Sequence, residues 1–267
     1  MKKEFLVVVV LIFILSNMVI PFMLFAILYN IEINRFILST LFQVLIYGGI
    51  SLLLMKKHDL PLSRDEIRVR SLGMIMKIIF SGIIIFSLLR VTRDSLRLIY
   101  VGITGDVFAF YNAPLMGWGA LLLSIVFFAL IPSIFEELFF RVLPYRMLKE
   151  AYTPEKMVIV TAIIFSLFHL NAGLQSMLSA LALGIILMSR FIKQKSYLEI
   201  VILHFLYNFF VILFNNRLMF PTDISFINIC IYSKEEALFV GSLFLALPLV
   251  VLSLHLFFKK DTDLEEK

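Results

Sequence analysis

The chain has 267 residues, of which 61% are hydrophobic, with 28 phenylalanines and a mean hydropathy of +0.99. That excludes an ordinary soluble domain, and the continuous rather than alternating apolar runs point to membrane-spanning helices instead of a barrel. The formal charge of +5, from 24 Lys and Arg against 19 Asp and Glu, reads as topology signals in cytoplasmic loops and not as a nucleic-acid footprint.

Taking spans of about 20 apolar residues, the sequence predicts eight: 5–29, 36–55, 72–89, 114–134, 157–171, 175–193, 197–216 and 237–258. Met1-Lys2-Lys3 and the run after it resemble a signal peptide. The run is too long for one and lacks a small-residue cleavage site, so it is read as a retained first span. Lys2 and Lys3, the Lys56–Arg70 loop, the Arg146–Lys156 loop, Lys193 with Lys195, and Lys259 with Lys260 all fall on one side. Both termini are therefore expected in the cytoplasm. Arg90, Arg93 and Arg97 break the pattern, either as an amphipathic segment in the interface or because span three is misplaced. No linker or internal repeat divides the chain. The expected organisation is one all-α polytopic membrane domain: residues 1–113 N-terminal spans and loops, 114–216 a catalytic core, and 217–267 the last span and an acidic tail. The single cysteine, Cys230, excludes an intrachain disulfide and a cysteine-based zinc cluster.

Span four runs into Phe135-Glu136-Glu137-Leu138-Phe139-Phe140-Arg141. A charge at membrane depth costs roughly 2.5–3.5 kcal/mol on insertion scales, so a pair of acids there marks a functional site. Glu137 and Arg141 are spaced i,i+4 in the favourable acid-first order. Glu136 points about 100° away, so one glutamate reads as structural and the other as open to chemistry. Pro132 and Pro144 bracket the stretch. They either kink the helix to open a wet pocket or are the prolines common in membrane helices.

Two further pairs share helix faces at i,i+4: Phe165 with His169, and His204 with Asn208. Either histidine alone reads as an interhelical hydrogen-bonding group. Counting ~1.5 Å per residue from the cytoplasmic end puts His204 ~11 Å deep, His169 ~18 Å deep and Glu136 up to ~20 Å deep. Three spans thus offer one layer of ionisable groups. A glutamate beside a histidine can deprotonate water, and a histidine with an asparagine can supply donors to an oxyanion. Glu136, His169 and His204 could equally be three zinc ligands with an open position. Both arrangements predict hydrolysis, and spacing does not choose between them. His-Glu-x-x-His, Gly-x-Ser-Gly and Gly-x-Gly-Asp motifs are absent, while His58 and His255 lie at a loop and a span end.

Glu136-Glu137-x-x-x-Arg141, Phe165-x-x-x-His169 and His204-x-x-x-Asn208, in this order on successive spans, resemble the three motifs of the CPBP family. These are the CAAX-processing and bacteriocin-processing intramembrane proteases that include the Ras-converting endopeptidases. The resemblance covers roughly Leu115 to Phe214. It implies that Glu136 is the catalytic base acting with His169 on water, that His204 and Asn208 line the oxyanion side, and that Glu137 with Arg141 holds the site's shape. The expected activity is endopeptidase cleavage of a membrane-associated protein or peptide at a plasma-membrane site facing the cytoplasm. A zinc ion is possible under the family's metalloprotease label but is not required by the residues. The other expectations carried are a non-catalytic binding, immunity or scaffold protein of the same fold, and a proton-linked transporter. The intact polar set argues against the scaffold, and the few polar residues in the outer halves of the spans argue against the transporter.

Overall fold

The computed structural model describes residues 2–15, 42, 44–68, 71–104, 117–170, 173–214 and 242. Among them every regular element is helical and none is a strand. The helices are α1 (Lys2–Ile14), α2 (Ile50–Lys57) preceded by a π turn Val44–Gly49, the short α3 (Arg64–Ile67) and α4 (Leu72–Thr104). They continue as the helical run α5 (Trp118–Leu148), then α6 (Pro154–Leu167), α7 (Leu174–Gln194) and α8 (Tyr197–Phe214). The windows Leu72–Tyr100, Trp118–Leu148 and Ser176–Gln194 are long and apolar enough to cross a membrane, and Tyr197–Leu213 is a shorter apolar helix. Apart from residue 242, the predicted span 237–258 lies outside the described residues, as do Cys230 and His255.

The chain falls into two compact units, residues 1–83 with 116–215, and residues 84–115 with 216–267. In the first, α5 runs through the interior, and Phe139, Val142 and Leu143 on it are wholly buried. α6 and α7 pack as a close pair. A Cβ at Gly184 would stand 3.0 Å from the Ala162 Cα and 3.1 Å from its Cβ, so glycine is what lets these backbones approach. The outward faces carry exposed Leu72, Met76, Phe80, Trp118 and Leu122, as a lipid-facing surface does.

The segment before α4 is anchored by side chains. Ser63 and Glu66 form a reciprocal capping box that starts α3. Arg146 near the end of α5 holds the carbonyls of Leu60 and Pro61 and the Glu66 carboxylate. At the start of the chain, Glu4 binds Lys57 at 2.5 Å and His58 at 2.8 Å.

In the second unit, the helix that begins at Leu72 does not stop at residue 89, where the sequence places the end of span three. It continues to Thr104. Arg90 and Asp94 pair at 2.5 Å across one turn, and Arg93 lies 3.5 Å from the same carboxylate. Charges that read as the end of a span are thus partnered along the helix.

Candidate active site

The site is built on α5, which alternates between α and π geometry. Ser124 ends an α segment, Ile125–Leu130 is a π turn, Ile131–Glu137 is α, Leu138–Val142 is again π, and Leu143–Leu148 is α. Each π turn closes just before a proline. The Ile131 N–H donates to the Val126 carbonyl and the Leu143 N–H to the Leu138 carbonyl, both five residues back, and Pro132 and Pro144 follow. The wide turns absorb the missing proline donors. They also place Glu136 and Glu137 between two irregular turns.

Both acids are buried, Glu136 at 7% exposure and Glu137 at 0%. Glu137 Oε1 lies 3.0 Å from Arg141 Nη1, and Arg141 is itself 1% exposed. The separation is that of an ion pair, although the angle fails a hydrogen bond: among the described residues, Arg141 Nη1, Nη2 and Glu137 Oε2 have no hydrogen-bond partner. The guanidinium instead stacks over Phe165, 4.1 Å from the ring centroid, an electrostatic contact that strengthens when water is excluded.

From α8, His204 reaches the same acid. Its Nδ1–H donates to Glu137 Oε1 at 2.7 Å, because an ionised carboxylate only accepts. Its Nε2 stands 3.9 Å from Glu136 Oε2, beyond direct hydrogen-bond reach. His204 is 2% exposed, so the imidazole, the guanidinium and two carboxylates share one buried volume. A protonated His204 makes that set neutral, two cations against two anions. Asn208, one turn further along α8, is half-buried.

His169 sits just past the end of α6, half-buried. Its Nδ1–H donates to the Phe165 carbonyl at 2.9 Å, one of the carbonyls that a helix end leaves without an intrahelical partner. The i,i+4 spacing of Phe165 and His169 is therefore a local cap. It fixes the tautomer and leaves Nε2 as an acceptor. The two rings meet edge-on at 4.7 Å, and the Phe165 ring lies 5.9 Å from that of His204. Phe165 is thus a common wall for Arg141, His169 and His204. Phe140 packs against it at 5.1 Å and against Phe168 at 5.0 Å.

One positioning residue was not singled out in the sequence. Tyr197 donates its hydroxyl to the Ile134 carbonyl at 2.7 Å and so ties the start of α8 to α5 beside the acids. Its spacing of seven from His204 puts both on one helix face, which was the available signal.

As placed, Glu136, His169 and His204 do not come together as a metal centre: no set of three His, Cys, Asp or Glu able to hold an ion occurs among the described residues. The Nδ1 bonds of the two histidines do not themselves oppose a metal, because a ligating imidazole commonly donates one N–H to a protein acceptor.

Comparison with known proteins gives one family. The family model described as type II CAAX prenyl endopeptidase Rce1-like matches residues 117–210, from the start of α5 into α8. No curated protein and no solved structure matches the chain.

Proposed function

We propose, from the match of residues 117–210 to the Rce1-like family model, that the chain is an intramembrane endopeptidase in which Glu136 and His169 activate water. In this reading it acts on a membrane-associated protein or peptide, of CAAX type or of leader or bacteriocin type, from the cytoplasmic side of the plasma membrane. The observation that carries the reading is the buried set of Glu136, Glu137, Arg141 and His204 inside otherwise apolar helices. Such a set is costly at membrane depth without a use.

The contacts support the positioning role of Glu137, and the motif resemblance supplies the remaining roles. Glu137 is held by Arg141 and by the His204 Nδ1–H, so it fixes the imidazole. Glu136 takes a proton from water as the water oxygen attacks the scissile carbonyl, with the His169 Nε2 lone pair as the second acceptor that orients that water. The developing oxyanion takes hydrogen bonds from the His204 Nε2–H and the Asn208 side-chain amide. Collapse of the tetrahedral intermediate breaks the C–N bond, and the carboxylic acid of Glu136 returns its proton to the leaving amine. No step is assigned to a metal.

The test is cleavage of quenched fluorescent peptides, prenylated and unprenylated, by the purified full-length chain in detergent, with and without chelator. Glu136→Ala is expected to lower kcat by about 10²–10⁴-fold, the range for a lost general base, and His169→Gln by a comparable factor. Undiminished turnover in Glu136→Ala would refute the assignment. Folded wild-type protein that binds the peptides without cutting them would favour the non-catalytic scaffold.

A further inference from the structure

A cleft of about 470 Å³ opens between the first turns of α4, the last turn of α7 and the first turn of α8. Its polar lining is Ser71, Lys77, Arg190, Gln194, Ser196 and Glu199, all within the first compact unit. It is not part of the Glu136–His204 cluster. Glu199 and His204 are five residues apart on α8, about 140° around the helix, so cleft and cluster lie on different sides of that helix.

The cleft carries excess positive charge. Arg190 Nε lies 3.1 Å from Glu199 Oε1, and Glu199 is buried. That pair uses the Nε edge of the guanidinium, and the Arg190 side chain remains more than a third exposed. Lys77 is exposed, with no acidic partner among the described residues. Ser71 and Ser196 accept the N–H groups of Met74 and Glu199 at 3.1 and 3.2 Å. Each hydroxyl oxygen therefore caps its own helix and keeps its O–H as a donor, Ser71 from an exposed position and Ser196 from a buried one on the cleft lining.

The surroundings narrow the ligand. The cleft lies where apolar windows begin at Leu72 and end at Gln194, which is the polar–apolar boundary of a bilayer. Lys193 and Lys195 adjoin it in sequence, on the side that the basic loops mark as cytoplasmic. From its rim, Leu72, Met76 and Phe80 descend α4 at i,i+4 spacing, 75%, 59% and 66% exposed. A cationic cleft with hydroxyl donors above an apolar stripe suits one molecule with a phosphodiester head and an acyl tail.

We propose that this cleft binds the headgroup of an anionic phospholipid of the cytoplasmic leaflet. Lys77 and the outer edge of Arg190 take the phosphate oxygens, and an acyl chain lies along Leu72, Met76 and Phe80.

The test is native mass spectrometry of the purified full-length chain released from detergent carrying either phosphatidylglycerol or phosphatidylcholine. Retention of phosphatidylglycerol over phosphatidylcholine is expected. Lys77→Gln, at an exposed site, should weaken that retention about fivefold, the change one interfacial cation supplies. The pair Arg190→Gln with Glu199→Gln, which leaves no buried charge alone, should do the same, and Lys149→Gln on the exposed turn after α5 should not. Equal retention of the two lipids, or wild-type retention in both cleft variants, overturns the proposal. So does displacement of the lipid by millimolar inorganic phosphate, which would mark a free-anion site. The readout does not depend on proteolysis.

Discussion

His204 is hydrogen-bonded to Glu137, its Nδ1 2.7 Å from that carboxylate, while its Nε2 stands 3.9 Å from Glu136, outside hydrogen-bond distance. One imidazole thereby separates two adjacent acids. Glu137 becomes the shared partner of Arg141 and His204. Glu136 lies on the Nε2 side of the ring, at 3.9 Å.

Loss of Glu137 should therefore cost stability before it costs chemistry. Removing one partner of a fully buried ion pair costs about 3–5 kcal/mol, and Arg141 at 1% exposure cannot rehydrate. Glu137→Ala is expected to melt well below wild type in detergent, read by the thermal shift of tryptophan emission from Trp118. Glu137→Gln, which keeps the shape, should fall in between. A Glu137→Ala protein melting with the wild type would show that the pair does not hold the fold.

The α6–α7 contact leaves no room for a branched side chain. Gly184→Val puts carbon into the Ala162 backbone and toward Phe165, 3.4 Å from the missing Cβ. Overpacking of this kind costs about 1–3 kcal/mol. Because Phe165 also contacts Arg141 and His169, the same variant should lose activity. The check is unfolding midpoint and turnover together, with Ala162→Gly added to the Gly184→Val protein. If the added glycine recovers neither, the contact is not the cause.

Acid should release the segment before α4. Burial opposes ionisation of Glu66, but hydrogen bonds from Arg146 and Ser63 outweigh it, so its pKa lies below the ordinary carboxylate value. A depressed carboxylate contributes stability that is present above its unfolded pKa and lost as pH falls through its folded pKa. Amide exchange across Leu60–Ile67 should thus stay slow at neutral pH and accelerate, after correction for intrinsic rates, below the ordinary glutamate range. In Glu66→Gln the protection should be lower at pH 7 and flat toward acid. A wild-type profile without the acid step would remove Glu66 from that role.

Tyr197→Phe deletes one hydroxyl and leaves the ring. The lost bond to the Ile134 carbonyl predicts a drop of about 1 kcal/mol in unfolding free energy. Exchange should rise locally at the α5 turn that carries Glu136. A uniform effect, or none, would mean that the hydroxyl does not pin that turn.

What the residues state locally could be read from the sequence. Apolar runs mark helices because lipid satisfies no backbone groups, and fixed helical rise and rotation set which residues share a face. The i,i+4 pairs therefore carried their meaning on the page: Glu137 with Arg141 at 3.0 Å, and Phe165 with His169 through the carbonyl cap. The end of span three at residue 89 misread Arg90, because a basic residue looks the same whether it stops a span or pairs with an acid one turn on. The π turns were unreadable too, since the prolines announce a break but not the wider turn that absorbs it.

Sequence by itself determined the helical class, the polar pairs on each helix and the order in which the chain presents them, because each depends on neighbours within about one turn. Only the tertiary structure decided which carboxylate His204 takes across 67 residues of chain. It also decided that Phe165 stacks on Arg141, and that Tyr197 reaches the α5 backbone. Those choices depend on how α5, α6 and α8 approach and rotate against one another, and close packing of many side chains, not any local pattern, sets that rotation.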